Sequence, residues 1–263
     1  MNPAVGLVGN AQGVGERLLA AGLDVVARED VPGDPPCPSG ARIVEGERSF
    51  FDELEFPRRI VLDLDPGPLV DDVIEAVYPW LEPGDVVVDF TGSYWVDTLR
   101  RFRRMRHRSI FHVDAAFIGP EVTERLLVAG DGEGMDLAIP VLSPLLPIGR
   151  LIRCGHAGTA HYALGLADAV ASVANQARGE LRQMLEALPL EHDVNTVLDA
   201  LIPDRGRVEG RAPWVLDDAI RLEAAIPLLA QAVMLDRAEQ LEQHETPHAL
   251  PRVGPYQAPD EIL

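Results

Sequence analysis

The sequence predicts an α/β fold for its first part and an all-helical domain after it. Three observations carry this. Over roughly the first 150 residues, short runs rich in Val, Ile and Leu alternate with amphipathic segments and glycine or proline breaks, the pattern of a buried parallel sheet with helices between its strands. From Gly155 the strand patterns stop. Gly155-His156-Ala157-Gly158-Thr159-Ala160-His161-Tyr162 opens a small-residue, apolar, proline-free stretch that reads as one long helix to about Leu188. Finally, the first apolar run, Ala4 to Val8, is followed at once by the glycine-rich turn Gly9-Asn10-Ala11-Gln12-Gly13-Val14-Gly15. The expected boundaries are residues 1–153 for the α/β domain, 154–245 for the helical domain, and 246–263 for a proline-rich tail.

Taken in order, the glycine turn leads into an amphipathic segment to Ala21, then Gly22, then the strand-like Asp24-Val25-Val26-Ala27. Strand, glycine turn, helix and strand open a Rossmann-like dinucleotide-binding unit, in which glycines let a diphosphate approach the helix N-terminus. The fingerprint is altered: in Gly9-x-Ala11-x-x-Val14, Ala11 and Val14 replace the second and third glycines, and Val14 is expected to crowd the diphosphate. An inserted residue would bring Gly13 or Gly15 into use. Gly9, Ala11, Gln12, Gly13 and Val14 are the expected cofactor contacts here. At the end of the second strand, Glu29 stands where an acid binds the ribose of NAD, while Arg28 is placed to take the 2′-phosphate of NADP. The carboxylates beside Arg28 oppose that phosphate, which tilts the reading to NAD.

Val31 to Ser39 is a proline-rich surface loop, and the third βα unit looks shortened or rebuilt. Ile60 to Leu64 is a strand that ends at Asp65-Pro66, a pair at the ligand edge of a parallel sheet. A helix is expected from Val70 to Leu81 and a buried strand from Asp85 to Asp89. Thr91 and Ser93 then place hydroxyls at that strand's carboxyl end, although Ser93 reads equally well as the cap of the next helix. Phe111 to Asp114, Leu126 to Gly130 and Leu151 to Arg153 are further strands, with a helix from about Gly134 to Leu145. The helical part adds a short helix from Asp193 to Leu201 and another from Ile226 to Gln240.

The stretch Gly155 to Tyr162 resembles the interdomain helix of 6-phosphogluconate dehydrogenases and the related β-hydroxyacid dehydrogenases, where the run reads roughly Gly-Ala-Gly-His-Phe-Val-Lys-Met-Val-His-Asn. Phe90 to Arg101 resembles the same family's Gly-Gly-Asn-Ser-Tyr-Tyr-Lys-Asp-Thr-Ile-Arg-Arg, with Ser93, Tyr94, Asp97, Thr98, Arg100 and Arg101 matching and Gly92 replacing the Asn. Val208 to Ala219 is similar to a third family segment, Gly-Glu-Gly-Arg-Trp-Thr-x-x-Glu-Ala. The resemblance implies an oxidoreductase that uses NAD or NADP on a small-molecule substrate.

The departures are as informative. The family's catalytic Lys position holds Leu164, the following His position Ala167, and the Asn position Asp168. No other lysine replaces it, because all 23 residues of the Lys and Arg total are arginine. The family's substrate-holding Ser-Gly-Gly turn is replaced by Ala115-Ala116-Phe117-Ile118-Gly119-Pro120. The expectation is therefore a divergent oxidoreductase acting on something other than 6-phosphogluconate. Asp168 is the first candidate acid, sharing a helix face with His161, Leu164 and Gly165, and Tyr162 and His161 stand in reserve. Imine reductases, relatives that also lack the lysine, often use Asp or Tyr. The alternative is a catalytically retired relative that binds a nucleotide or a protein partner.

The totals narrow the field. A net charge of −19 disfavours nucleic acid and anionic membranes as partners. The arginine-rich run Arg100 to Arg108 reads as a solvated helix face. Two cysteines, Cys37 and Cys154, suggest neither a disulfide framework nor a metal site, and with no signal-like N-terminus or membrane span the expected location is the cytoplasm. A homodimer is expected, because the few helices of the second part leave apolar stripes uncovered, Leu164 to Val173 and the Ile226, Leu229, Ala230, Val233 face among them. The active cleft would then lie between the long helix and the partner's C-terminal helices.

Overall fold

The computed structural model describes residues 4–10, 13–28, 37–187, 189, 191, 193–203 and 210–242. The elements follow in order as β1 (Val5–Gly9), α1 (Val14–Ala20), β2 (Val25–Arg28), β3 (Arg42–Val44), α2 (Gly46–Asp52), β4 (Arg59–Asp63), α3 (Pro68–Val77), β5 (Val86–Asp89), α4 (Trp95–Arg106), β6 (Phe111–Ile118), β7 (Arg125–Gly130), α5 (Gly132–Leu142), β8 (Leu151–Gly155), α6 (Thr159–Glu186), α7 (Val194–Leu201), α8 (Ala212–Arg221) and α9 (Pro227–Glu242). The described chain forms two compact units, which divide between Tyr162 and Ala163.

The first unit is an eight-stranded sheet in the order β3-β2-β1-β4-β5-β6-β7-β8. Neighbours run parallel except β6 and β7, which are antiparallel. Because side chains alternate across a strand, each buried strand feeds two cores. Leu7, Val61, Val88 and Val113 pack on one face with Val14 and Leu18 of α1 and Ala138 of α5. Val8, Ile60, Leu62 and Val87 pack on the other with Phe50 of α2, Val73 of α3 and Met105 of α4. Strands buried on both faces need continuous apolar runs, which is what made β4 and β5 legible in the sequence.

The third unit is short, as expected: β3 and α2 are three and seven residues long, with Phe50 and Phe51 buried; the predicted loop before it lies mostly outside the described residues. The structure corrects two expectations. The replacement for the Ser-Gly-Gly turn is not a turn. β6 continues through Ile118 and pairs Phe117 with Leu126 and Ile118 with Arg125. Apolar and β-branched residues favour extension there, and Phe117 stacks on Phe90 at 5.4 Å under the Arg17 guanidinium. The arginine-rich run is not simply solvated either. Arg101 is buried, Arg108 donates to the carbonyls of Tyr78 and Leu81, and Arg104 and Arg108 cover the Tyr78 ring, which fastens α4 to the end of α3.

The second unit is helical. α6 is a single helix of 28 residues. Asp193 caps α7 by accepting the amides of Asn195 and Thr196. Ala169 of α6, Ala212 and Val215 of α8 and Val233 of α9 form a small core, with Leu166, Leu216, Ile226 and Leu229 packed against it. Val233 is therefore buried and Ile226 and Leu229 are partly buried, so the expected open stripe is in part covered. The apolar side chains left exposed include Val170, Ile220, Leu228 and Met234. Among the described residues no helix is long and apolar enough to cross a membrane, and no group of three or more His, Cys, Asp or Glu could hold a metal.

Candidate active site at the carboxyl edge of the sheet

The carboxyl ends of β1, β4, β5 and β6 lie side by side, and the first unit's candidate residues gather on this edge. The chain leaves β1 through Gly9, with φ of 86°. A Cβ there would lie 2.4 Å from the Asp63 carbonyl oxygen, so only glycine lets the turn pass this close to β4. Gly13 also has positive φ, 72°, but among the described residues nothing lies within 4 Å of where its Cβ would be. Val14 does not crowd the turn. Its side chain is fully buried in the core with Leu7 and Leu18. Its amide donates to Asp63 Oδ2 at 2.8 Å, and the next amide, Gly15, donates to Asn10 Oδ1 at 3.2 Å. Ala11, Gln12 and Glu29 lie outside the described residues. Arg28, at the end of β2, is buried with its guanidinium 3.5 Å from the Glu47 carboxylate. Past β4, Asp65 is exposed and Pro66 is buried.

The middle of the edge is a buried polar network. Asp89 ends β5, and its Oδ1 accepts the Thr91 amide at 2.9 Å and the Thr91 hydroxyl at 2.6 Å. Thr91 and Ser93 hydroxyls are 2.7 Å apart. Arg101 Nη1 donates to Ser93 Oγ at 2.7 Å and its Nε donates to Asp71 at 2.9 Å. Ser93 is thus not the helix cap: α4 begins after Tyr94 with no side-chain cap, and Ser93 instead ties the turn to Arg101. His112 Nε2 lies 3.3 Å from Asp89 Oδ2. Burial alone would push Asp89 up, but His161, His112 and Arg101 outweigh it and hold the carboxyl well below its usual range.

The start of α6 is held by a second aspartate. Asp114 of β6 accepts the amides of Gly158, Ala160 and His161 at 2.7, 2.9 and 3.2 Å, and so caps the helix from outside it. Burial pushes the Asp114 carboxyl up, while these amides and His161 pull the other way. Burial also pushes the nearby Cys154 thiol up to about 11, so it is no ready nucleophile. His161 is fully engaged: Nδ1 is 2.8 Å from Thr98 Oγ1 and Nε2 is 3.0 Å from the Asp89 carbonyl, which can only accept. It joins α4, β5 and α6. Tyr162 is half-buried with its ring edge-on to Trp95 at 6.1 Å. In the second unit, Asp168 is 3.5 Å from the buried Arg211 guanidinium.

Sequence reasoning missed Asp63, Asp114 and Arg211. The first two had a visible signal, since each is a lone charge inside or at the end of an apolar strand run, where an ionisable group needs partners. Arg211 had only its match to the Arg of the family's Gly-Glu-Gly-Arg segment, and its pairing with Asp168, far back along the chain, was not visible.

A family model for the NAD binding domain of 6-phosphogluconate dehydrogenase matches residues 6–145. The decarboxylating 6-phosphogluconate dehydrogenase of Chlamydia pneumoniae is 31% identical over 126 residues, 45% of this chain and 26% of that protein. The chain thus spans about a quarter of that relative's length. The YqeC protein of Bacillus subtilis, a 6-phosphogluconate dehydrogenase by name, is 23% identical over 217 residues, 70% of this chain and 72% of that one. Among solved structures, the 3-hydroxyisobutyrate dehydrogenase of Mycobacterium tuberculosis with L-serine superposes with a TM-score of 0.73 at 17% identity, covering 95% of this chain and 97% of that one. The Plasmodium falciparum 6-phosphogluconate dehydrogenase gives 0.71 at 13% identity, with 98% and 68% covered. These structural likenesses speak for the fold, and the sequence match spans more than half of the chain. This protein belongs to the 6-phosphogluconate dehydrogenase NAD binding domain family.

Proposed function

We propose that the protein is a divergent NAD(P)-dependent oxidoreductase that acts on a small molecule other than 6-phosphogluconate. The observation that carries this reading is the Thr91-Gly92-Ser93 turn, held by Asp89 and Arg101 at the carboxyl edge of a sheet whose sequence matches an NAD binding domain. The residues present suit a dinucleotide along this edge: Gly9 makes the tight turn, no described atom lies within 4 Å of a Cβ on Gly13, and Gly92 adds no side chain between two hydroxyls. When bound, the nicotinamide supplies or accepts the hydride. The chain's own part is to hold that edge and to move a proton. Thr91 and Ser93 are positioned by buried charges, so their hydroxyls stay put without solvent to reorient them. Asp168, paired with Arg211, is the proposed acid–base group in place of the missing lysine, and Tyr162 is the second candidate; His161, with both nitrogens engaged, is better suited to positioning.

NAD is the proposed cofactor over NADP, because Arg28 already faces the Glu47 carboxylate and would have to leave it for a 2′-phosphate. Fluorescence titration should give tighter binding for NADH than for NADPH; the reverse order would make Arg28 the reader of the ribose. With a reducible substrate in hand, Asp168→Asn is expected to lower kcat on the order of a hundredfold or more. An unchanged kcat would pass the role to Tyr162.

We also propose a homodimer formed through the helical unit, in a location matching a soluble small-molecule enzyme. Exposed Val170, Ile220, Leu228 and Met234 support it. Light scattering at micromolar concentration should give twice the chain mass of 28.6 kDa, and a monomer would sink the proposal.

The retired-enzyme reading keeps one specific observation in its favour. The first amide of α1 is already bonded to a carboxylate at the place where this fold receives a diphosphate. If neither dinucleotide binds at millimolar concentration, that reading replaces the first.

A further inference from the structure

The sequence Ile60-Val61-Leu62-Asp63-Leu64 puts one charge in an otherwise apolar buried strand end. Asp63 is fully buried and sits opposite Gly9 in the β1–β4 register. Its carboxylate accepts the Val14 amide, the first of α1. The neighbouring donors are taken as well: Gly15 gives its amide to Asn10 Oδ1, and Gly13 gives its amide to the Asn10 carbonyl at 3.3 Å. Among the described residues, the amides of Gly13, Val14 and Gly15 are all bonded to the protein's own oxygens. A buried amide needs an acceptor, but it does not need a charged one, since an asparagine oxygen would serve the same bond. At the Val14 amide the negative charge is thus more than that bond requires. A buried carboxylate is also costly to keep without such partners.

We infer that Asp63 sets dinucleotide affinity: its carboxylate holds the α1 amide that a cofactor's diphosphate would otherwise use, and its charge repels that diphosphate. This rests on the dinucleotide reading of the site. It makes the wild-type protein a weak binder whose affinity one neutral, nearly isosteric change raises. The group affected is the diphosphate and not the adenine or the nicotinamide, because the contact lies at the α1 turn.

The test compares wild type with Asp63→Asn by isothermal titration with NADH, ADP-ribose and adenosine, after thermal melting has shown both to be folded. Asp63→Asn should bind NADH and ADP-ribose at least about tenfold more tightly, because a like charge beside the diphosphate is removed. Adenosine, which carries no phosphate, should bind the two proteins alike. If Asp63→Asn does not fold, Asp63→Ser, which keeps an acceptor oxygen, takes its place with the same expectation. Tight binding by the variant alone supports the inference. Wild-type binding with an equal or weaker variant overturns it while leaving the dinucleotide reading intact. An equal gain for adenosine also overturns it, since the effect would then not belong to the diphosphate. Binding by neither protein overturns both readings.

Discussion

Replacing Arg101 by methionine is expected to destabilise the protein by about 3 kcal/mol or more, because it removes one partner from a buried set of charges and leaves the others uncompensated. Arg101 is 1% exposed and serves Ser93, Asp71 and, at 3.9 Å, Asp89, which is itself fully buried. Methionine keeps most of the side-chain volume, so the loss reports charge and hydrogen bonding more than a cavity. A melting temperature lower by on the order of 10 °C is the expected reading. A change under about 2 °C would mean that the network holds itself without the guanidinium.

The same network predicts an acid limb. Asp89 is held low in the folded state because His161, His112 and Arg101 outweigh burial, and Asp71 is held low because its bonds to Arg100 and Arg101 outweigh burial. For a carboxyl whose folded value lies below its unfolded one, the stabilisation is present above the unfolded value of about 3.9 and is lost as pH falls through and below it. Stability should therefore fall as pH drops below about 4, and the fall should be shallower in Arg101→Met, where less depression remains to be lost. Asp114 works in the opposite sense: its raised carboxyl is a penalty at neutral pH that is relieved on acidification. Melting temperatures from about pH 6 to about pH 3 in both proteins test the sign.

Gly9→Ala is expected to cost about 3 kcal/mol or more, from two effects together. A φ of 86° strains an L residue by about 1–2 kcal/mol. The added methyl group would also lie 2.4 Å from the Asp63 carbonyl oxygen and 2.6 Å from Leu64 Cδ2, so β1 and β4 must part at the centre of the sheet. Gly13→Ala is the control. Its φ is also positive, but among the described residues nothing lies within 4 Å of its Cβ position, and only the strain of about 1 kcal/mol should be seen. Urea unfolding of the two variants separates them. Equal losses would show that backbone strain alone matters at Gly9.

The apolar runs decided the sheet. Val5 to Val8, Ile60 to Leu64 and Val86 to Val88 could be read as buried strands because a parallel sheet covered on both faces tolerates few polar residues, and the chain says so locally. The long helix was equally legible, since small and apolar residues persist from Ala160 to Ala187 without a proline. The matches at Phe90 to Arg101 and Gly155 to Tyr162 identified the family.

What the sequence could not decide was which charges meet. Asp63 with Val14, Asp89 with His112 and His161, Asp114 with the start of α6, and Asp168 with Arg211 are all pairs of residues distant in the chain. In the first unit such pairs are set by strand order and register, and in the second Asp168 meets Arg211 through the packing of helices. The same is true of Ser93, which reads locally as a cap and is held instead by Arg101, two turns into the helix that follows. Phe117 extends β6 for a similar reason, because β7 and the Phe90 ring lie beside it. Hydrophobic pattern is a local property, so the sequence determined the framework. The electrostatics of the edge arise between strands, and only the tertiary structure decided them.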